Sequence, residues 1–122
     1  MDKSFFESYY KTYNSEDPQA LSEFYHDDVV LRFSQGEQNG KEALLGTYGF
    51  MTSIFKDQMT PKNIIIQGEQ AAIEIHDRLE AKQDIDDWMG QKLAKGDTLG
   101  LSVCGIYRVE GNRIKEITIY TK

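Results

Sequence analysis

The chain has 122 residues and a mass of 14.0 kDa, enough for one domain around one core and too little for two. Its net charge of -6 and its pI near 4.9, with Lys and Arg scattered along it, exclude a phosphate-backbone partner; no apolar run approaches the roughly 20 residues of a membrane span. A single cysteine, Cys104, excludes an internal disulfide, and its apolar surroundings point to a plain buried thiol.

The opening MDKSFFESYY is acidic, with only a short apolar patch, so no targeting segment is expected and a cytoplasmic location is the default. From Ser4 to Asn14, Phe5, Phe6, Tyr9, Tyr10 and Tyr13 recur at spacings of three and four, predicting a helix with a wide aromatic stripe. Such a stripe is core; a buried tyrosine needs a partner for its hydroxyl, so one of these oxygens is expected to point into a cavity. Asn14-Ser15-Glu16 breaks the pattern. Asp17 then accepts the free N–H groups of a second helix, Pro18 suits its first position, and Leu21, Phe24 and Tyr25 form its apolar face.

Past Asp27 and Asp28, the run Val29, Val30, Leu31 and Phe33 reads as a strand, and Gly36 with Asn39-Gly40 supplies turns. A third helix is expected from Lys41 to about Phe55, on Leu44, Tyr48, Met51 and Phe55. Gly46 and Gly49 inside it point to the close approach of another backbone or to a broken helix, and Thr60-Pro61 closes the helical part. The rest reads as sheet: Asn63 to Gln67, then Ala71 to Ala81, then Leu99 to Val109, a turn at Glu110-Gly111-Asn112, and Arg113 to Thr121. Gln83 to Lys95, with its isolated Trp88, reads as a long polar connection. Helices followed by an antiparallel meander give an α+β domain over residues 1–122, with the sheet wrapped on the helices around an apolar pocket.

Alternation in the second of these strands puts Ile73, Ile75, Asp77 and Leu79 on one face and Glu74, His76, Arg78 and Glu80 on the other. Asp77 is therefore either a carboxyl among apolar side chains, the usual condition of a general acid or base, or a solvated group at the sheet rim. His76 belongs to the outward charged lattice. His26, Asp27 and Asp28 are adjacent on an extended chain and point apart, so they read as an acidic corner and not as metal ligands; Asp84, Asp86 and Asp87 lack the glycine of a calcium loop. No metal or cofactor motif is present in the sequence.

The phrase F-Y-H-D-D-V-V from Phe24 to Val30, with the layout around it, resembles the nuclear transport factor two-like superfamily, and within it the SnoaL-like and ketosteroid-isomerase-like proteins. The resemblance implies a cone-shaped, cystatin-like fold whose N-terminal helices pack on a curved, mostly antiparallel sheet. It also implies a small apolar ligand in the pocket and pairing into a homodimer. In the isomerases the oxyanion-hole tyrosine falls on Tyr9, but the catalytic base falls on Phe33 and the protonated acid on Gly105. G-I-Y-R-V-E-G-N-R-I from Gly105 and E-I-H-D from Glu74 are similar to limonene-epoxide hydrolases, where one catalytic aspartate falls on Asp77, the arginine on Ile75 and the second aspartate on Ile119. SnoaL-like cyclases use a His and Asp pair, and no inward His is placed here. The expected site is thus Asp77 as acid/base and Tyr9 as hydrogen-bond donor, with Tyr13, Phe33, Ile75, Gly105, Tyr107 and Ile119 against the ligand. A binding protein without turnover and an interaction module with a filled pocket are the alternatives.

Overall fold

The computed structural model describes residues 1–122. Helix α1 (Lys3–Tyr13) starts at Asp2, whose carboxylate accepts the Phe5 N–H, and buries Phe6, Tyr9 and Tyr10. Helix α2 (Pro18–Ser22) is capped by the Asp17 carboxylate, which accepts the N–H groups of Gln19 and Ala20. It is shorter than its apolar spacing predicts, because Tyr25 already belongs to strand β1 (Tyr25–Phe33). The Phe24 carbonyl accepts the Ile114 N–H, so the chain turns extended there to join the sheet. A short β2 (Gly36–Asn39) pairs with β1 where turns alone were expected.

Helix α3 (Lys41–Ile54) runs unbroken through Gly46 and Gly49, and a Cβ at either would meet nothing within 4 Å. The two glycines therefore mark neither a close backbone nor a break. Strand β3 (Phe55–Gln67) follows directly, so Thr60-Pro61 lies inside a strand and does not end a helix. Pro61 is tolerated because β3 is an edge strand and its register slips between Pro61 and Asn63. Strands β4 (Gln70–Ala81), β7 (Thr98–Glu110) and β8 (Arg113–Thr121) continue the sheet. The stretch read as a polar connection carries a hairpin, β5 (Ile85–Trp88) with β6 (Gln91–Leu93). Trp88 packs edge-on against Phe55 with centroids 4.8 Å apart.

The six-stranded sheet has the order β2-β1-β8-β7-β4-β3. All of its pairs are antiparallel except β1 with β8, which closes the meander against the first strand in parallel register. The helices cover the concave face, giving the expected mixed α+β cone. The main core joins the α1 aromatics to Tyr25, Val29, Ile73, Tyr107 and Ile114; a smaller cluster of Phe55, Leu79, Ala81 and Leu93 sits under the β5–β6 hairpin. No helix is long and apolar enough to cross a membrane.

Candidate functional site

Between the helices and the concave face lies a cavity of about 290 Å³. Its floor is Tyr9 and Tyr25, with Tyr107 and Ile117 rising from β7 and β8. Exposed Ser34 and Gln35 of the β1–β2 turn, with Met89 of the β5–β6 turn, mark the mouth. Tyr9, Tyr13, Phe33, Ile75, Asp77, Tyr107 and Ile119 all reach the wall, as the strand and helix periods predict. Gly105 does not. The Tyr107 ring lies over it, so close that a Cβ at Gly105 would stand 2.6 Å from Cε2, and the ring's hydroxyl is fixed by a 2.6 Å hydrogen bond to Tyr10. The missing side chain makes room for Tyr107, not for a ligand.

The register explains the position of Asp77. β4 alternates strictly, with Ile73, Ile75, Asp77 and Leu79 buried and Glu74, His76 and Arg78 exposed, so of the two earlier alternatives the interior carboxyl holds: Asp77 is 7% exposed. Asp77 pairs with Met59 on β3 and Leu101 on β7, which puts apolar groups on both sides of it.

A second carboxyl, Asp57, is 2% exposed and was not singled out in the sequence. It opposes Leu79 on β4, which makes it the diagonal neighbour of Asp77 on the same face. The Tyr13 hydroxyl donates to Asp57 Oδ2 at 2.9 Å. Tyr13 is held over β3 by Asn14, whose Nδ2 donates to the Met59 carbonyl and whose Oδ1 accepts the Met59 N–H, each at 2.8 Å. The Tyr48 hydroxyl donates to the Tyr13 carbonyl at 2.6 Å and ties α3 to the same point.

Neither carboxyl takes part in an ion pair; the ion pairs that form lie elsewhere, as Lys41 with Asp27 and Arg32 with Glu37 and Glu116. Oδ1 of each is buried and meets no donor elsewhere in the protein. Burial, then the neighbouring Asp57 carboxyl with its like charge, pushes the Asp77 carboxyl up to about 9. The direction of this shift favours the protonated form of Asp77, which faces an otherwise apolar wall.

Tyr9 is not a lone donor. Its hydroxyl shares a 2.6 Å hydrogen bond with Tyr25, and both line the cavity. Burial raises both phenols well above their ordinary value, so they stay protonated, and whichever of the pair donates to the other leaves one O–H free for a ligand. His76 is exposed on the convex face, and His26 lies outside the cavity wall with Nδ1 accepting the Asp28 N–H at 3.1 Å. No three His, Cys, Asp or Glu side chains are grouped to hold a metal ion.

Solved structures with this fold include IdmH of Streptomyces antibioticus, a proposed polyketide cyclase (20% identity, TM-score 0.80, 98% of this chain and 91% of that one covered). A proposed polyketide cyclase of Pseudomonas putida KT2440 matches at 22% identity and TM-score 0.78, over 97% of this chain and 89% of that one. An LEH-like epoxide hydrolase of M. tuberculosis matches at 17% and 0.78, over 98% and 80%. At these identities the likeness is one of fold. No curated protein matches the chain in sequence. The family model of the SnoaL-like domain matches residues 6–117, nearly the whole length that folds into the cone, and the chain belongs to that family.

Proposed function

We propose that residues 1–122 form one domain that is a small-molecule enzyme of acid–base type, with Asp77 as the acid. The observation that carries this reading is a carboxyl buried in the wall of an apolar cavity with no cation paired to it, where burial favours its protonated form. A neutral ligand with a carbonyl or ether oxygen would accept the Asp77 proton or a hydrogen bond from it, with the Tyr9–Tyr25 hydroxyl pair as second donor. Proton transfer leaves Asp77 as carboxylate, which recovers a proton from the ligand C–H or O–H that loses one, so an isomerisation or ring closure returns the enzyme to its starting state. The cyclase and epoxide-hydrolase names among the fold's neighbours are consistent with chemistry of this kind.

Binding without turnover is the second reading. Phe33, Ile75 and Ile119 stand in the wall where the families resembled carry a base, an arginine and a second aspartate. One experiment separates the two: proton NMR of 2-tetralone in D₂O follows deuterium exchange beside its carbonyl. Acceleration by the wild type that Asp77→Asn abolishes supports the enzyme; binding with no acceleration leaves a binding protein. Native mass spectrometry of the purified protein would identify a co-purifying ligand.

The convex face supports a homodimer. Ile65, Ala72, Ile106 and Thr118 make a cross-strand row there, with Ile65 66% exposed and Tyr120 61% exposed nearby. Light scattering at twice 14.0 kDa is expected, and the monomer mass at all concentrations would rule the dimer out. The free Cys104 and the absence of any disulfide fit a cytoplasmic setting.

A further inference from the structure

Asp57 and Asp77 are the two buried charged residues of the chain, and they are diagonal neighbours on adjacent strands. Only Asp77 reaches the cavity; Asp57 lies behind it and accepts a hydrogen bond from Tyr13. We propose that Asp57 is a positioning residue that shares one proton with Asp77 and so makes the cavity wall a hydrogen-bond donor, selecting ligands with a neutral carbonyl or ether oxygen and rejecting anionic ligands of the same shape. The inference rests on the reading of Asp77 as the acid of the site.

Three observations support it. First, each carboxyl keeps a buried Oδ1 that no N–H or O–H of the protein reaches, and a buried polar oxygen without a donor is costly. A proton held between the two carboxyls is the donor available on the spot, as like charges on buried diagonal neighbours disfavour ionising both. Second, the Tyr13 hydroxyl stabilises negative charge on Asp57 and not on Asp77. Tyr13 itself is raised well above its ordinary value by burial and then by Asp57, so it remains a donor. With a donor on Asp57 and none on Asp77, this asymmetry places the shared proton nearer Asp77.

Third, no compensating cation faces the pair. Around Asp77 in the wall stand Met59 from β3, Tyr9 and Tyr13 from α1, Tyr48 from α3, Leu101 and Val103 from β7, and Met89 from the β5–β6 turn. The wall holds no Lys, Arg or His. An anionic ligand would bury its charge beside Asp57 with nothing to neutralise it, whereas a neutral oxygen would find a proton.

Carbon-detected NMR titration of the side-chain carboxyls, on ligand-free wild type and on Asp57→Asn and Asp57→Glu, reads this out. In the wild type the Asp77 midpoint should lie far above the ordinary carboxyl range, in Asp57→Asn it should fall by at least one pH unit with the amide spectrum still folded, and Asp57→Glu should restore it. A purely structural Asp57 would leave the midpoint in place, and that result overturns the proposal. Asp57→Ser serves if the Asn variant does not fold. An ordinary midpoint in the wild type would sink the acid reading of Asp77 itself, whereas a high midpoint unmoved by Asp57→Asn sinks only the role of Asp57.

Selection is read separately by calorimetry on the wild type at pH 7, with 2-acetylnaphthalene and 2-naphthoate, two flat ligands of similar size. The ketone should bind at least tenfold tighter. Equal binding, preference for the carboxylate, or failure of both to bind would overturn the selection.

Discussion

Replacing Asp77 by Asn should stabilise the protein at neutral pH while removing its acid. In the unfolded chain this carboxyl has its ordinary value near 3.8, and burial beside Asp57 pushes it up to about 9 in the fold, so between those values the native state should hold one more proton than the unfolded state. Stability is then fully present below about pH 4 and drains away as pH rises, by about 1.4 kcal/mol per pH unit, until Asp77 ionises in the fold as well. The roughly three units between the unfolded value and pH 7 amount to ~4 kcal/mol, a large share of a typical total of about 5–15 kcal/mol. Asparagine keeps the shape, does not titrate, and offers an N–H to Asp57. The stability difference between Asp77→Asn and wild type should therefore be near zero at pH 4 and grow to ~4 kcal/mol at pH 7, about 10–15 °C in Tm for a domain of this size. Urea unfolding followed by far-UV circular dichroism from pH 4 to 8.5 measures it, with the m-value unchanged. A difference that does not vary with pH, or an Asn variant less stable than wild type at pH 8, would refute the buried-acid argument.

Limonene oxide should not be hydrolysed at enzyme-like rates, because Ile75 and Ile119 offer no lone pair to hold and activate water and Asp57 does not reach the cavity; a steady-state assay checks it, and hydrolysis by the wild type would mean that a water-activating group is present in the wall. Gly105→Ala should cost about 1–3 kcal/mol, since its Cβ would displace a buried ring held by the Tyr10 hydrogen bond; thermal denaturation reads the loss, and a neutral outcome would show that Tyr107 has room to move. Trp88→Ala should loosen the β5–β6 hairpin by about 2 kcal/mol while leaving the six-stranded sheet intact. Hydrogen exchange should then speed up between residues 85 and 93 and not in β4 or β7, and uniform acceleration would count against a separable hairpin.

Periodicity carried much of this structure. The aromatic stripe of α1 and the alternation of β4 suffice to place Tyr9, Tyr13, Ile75 and Asp77 on one cavity, because each pattern repeats over several turns or pleats. What escaped lay where a pattern was short or ambiguous. Asp57 sits two residues into β3, in a stretch Phe55–Pro61 whose Lys, Gln and Pro obscure the strand signal, and its partner Asp77 is twenty positions away in a register that only the folded sheet defines. A carboxyl at alternation distance from Phe55 and Met59 was the available clue. The β5–β6 hairpin was hidden because each strand buries few apolar residues, Trp88 among them. Gly105 was misread for a different reason: a family position was carried over, but the volume freed by losing the side chain went to Tyr107 within the same strand.

The seat that Asn14 makes on Met59 also governs how this protein meets other chains. β3 is thirteen residues long and ends the sheet, so its outer N–H and C=O groups could template a foreign strand. By taking both the Met59 N–H and carbonyl, the Asn14 side chain occupies that template at its centre, and two residues later Pro61 removes a donor where the register slips. Lys56 and Lys62, both exposed, flank the blocked stretch with positive charge. The opposite edge, β2, is only four residues long. Strand-to-strand growth of this sheet through β3 would first have to dislodge α1, and with it the hydroxyl of Tyr13 that steadies the carboxyl beneath.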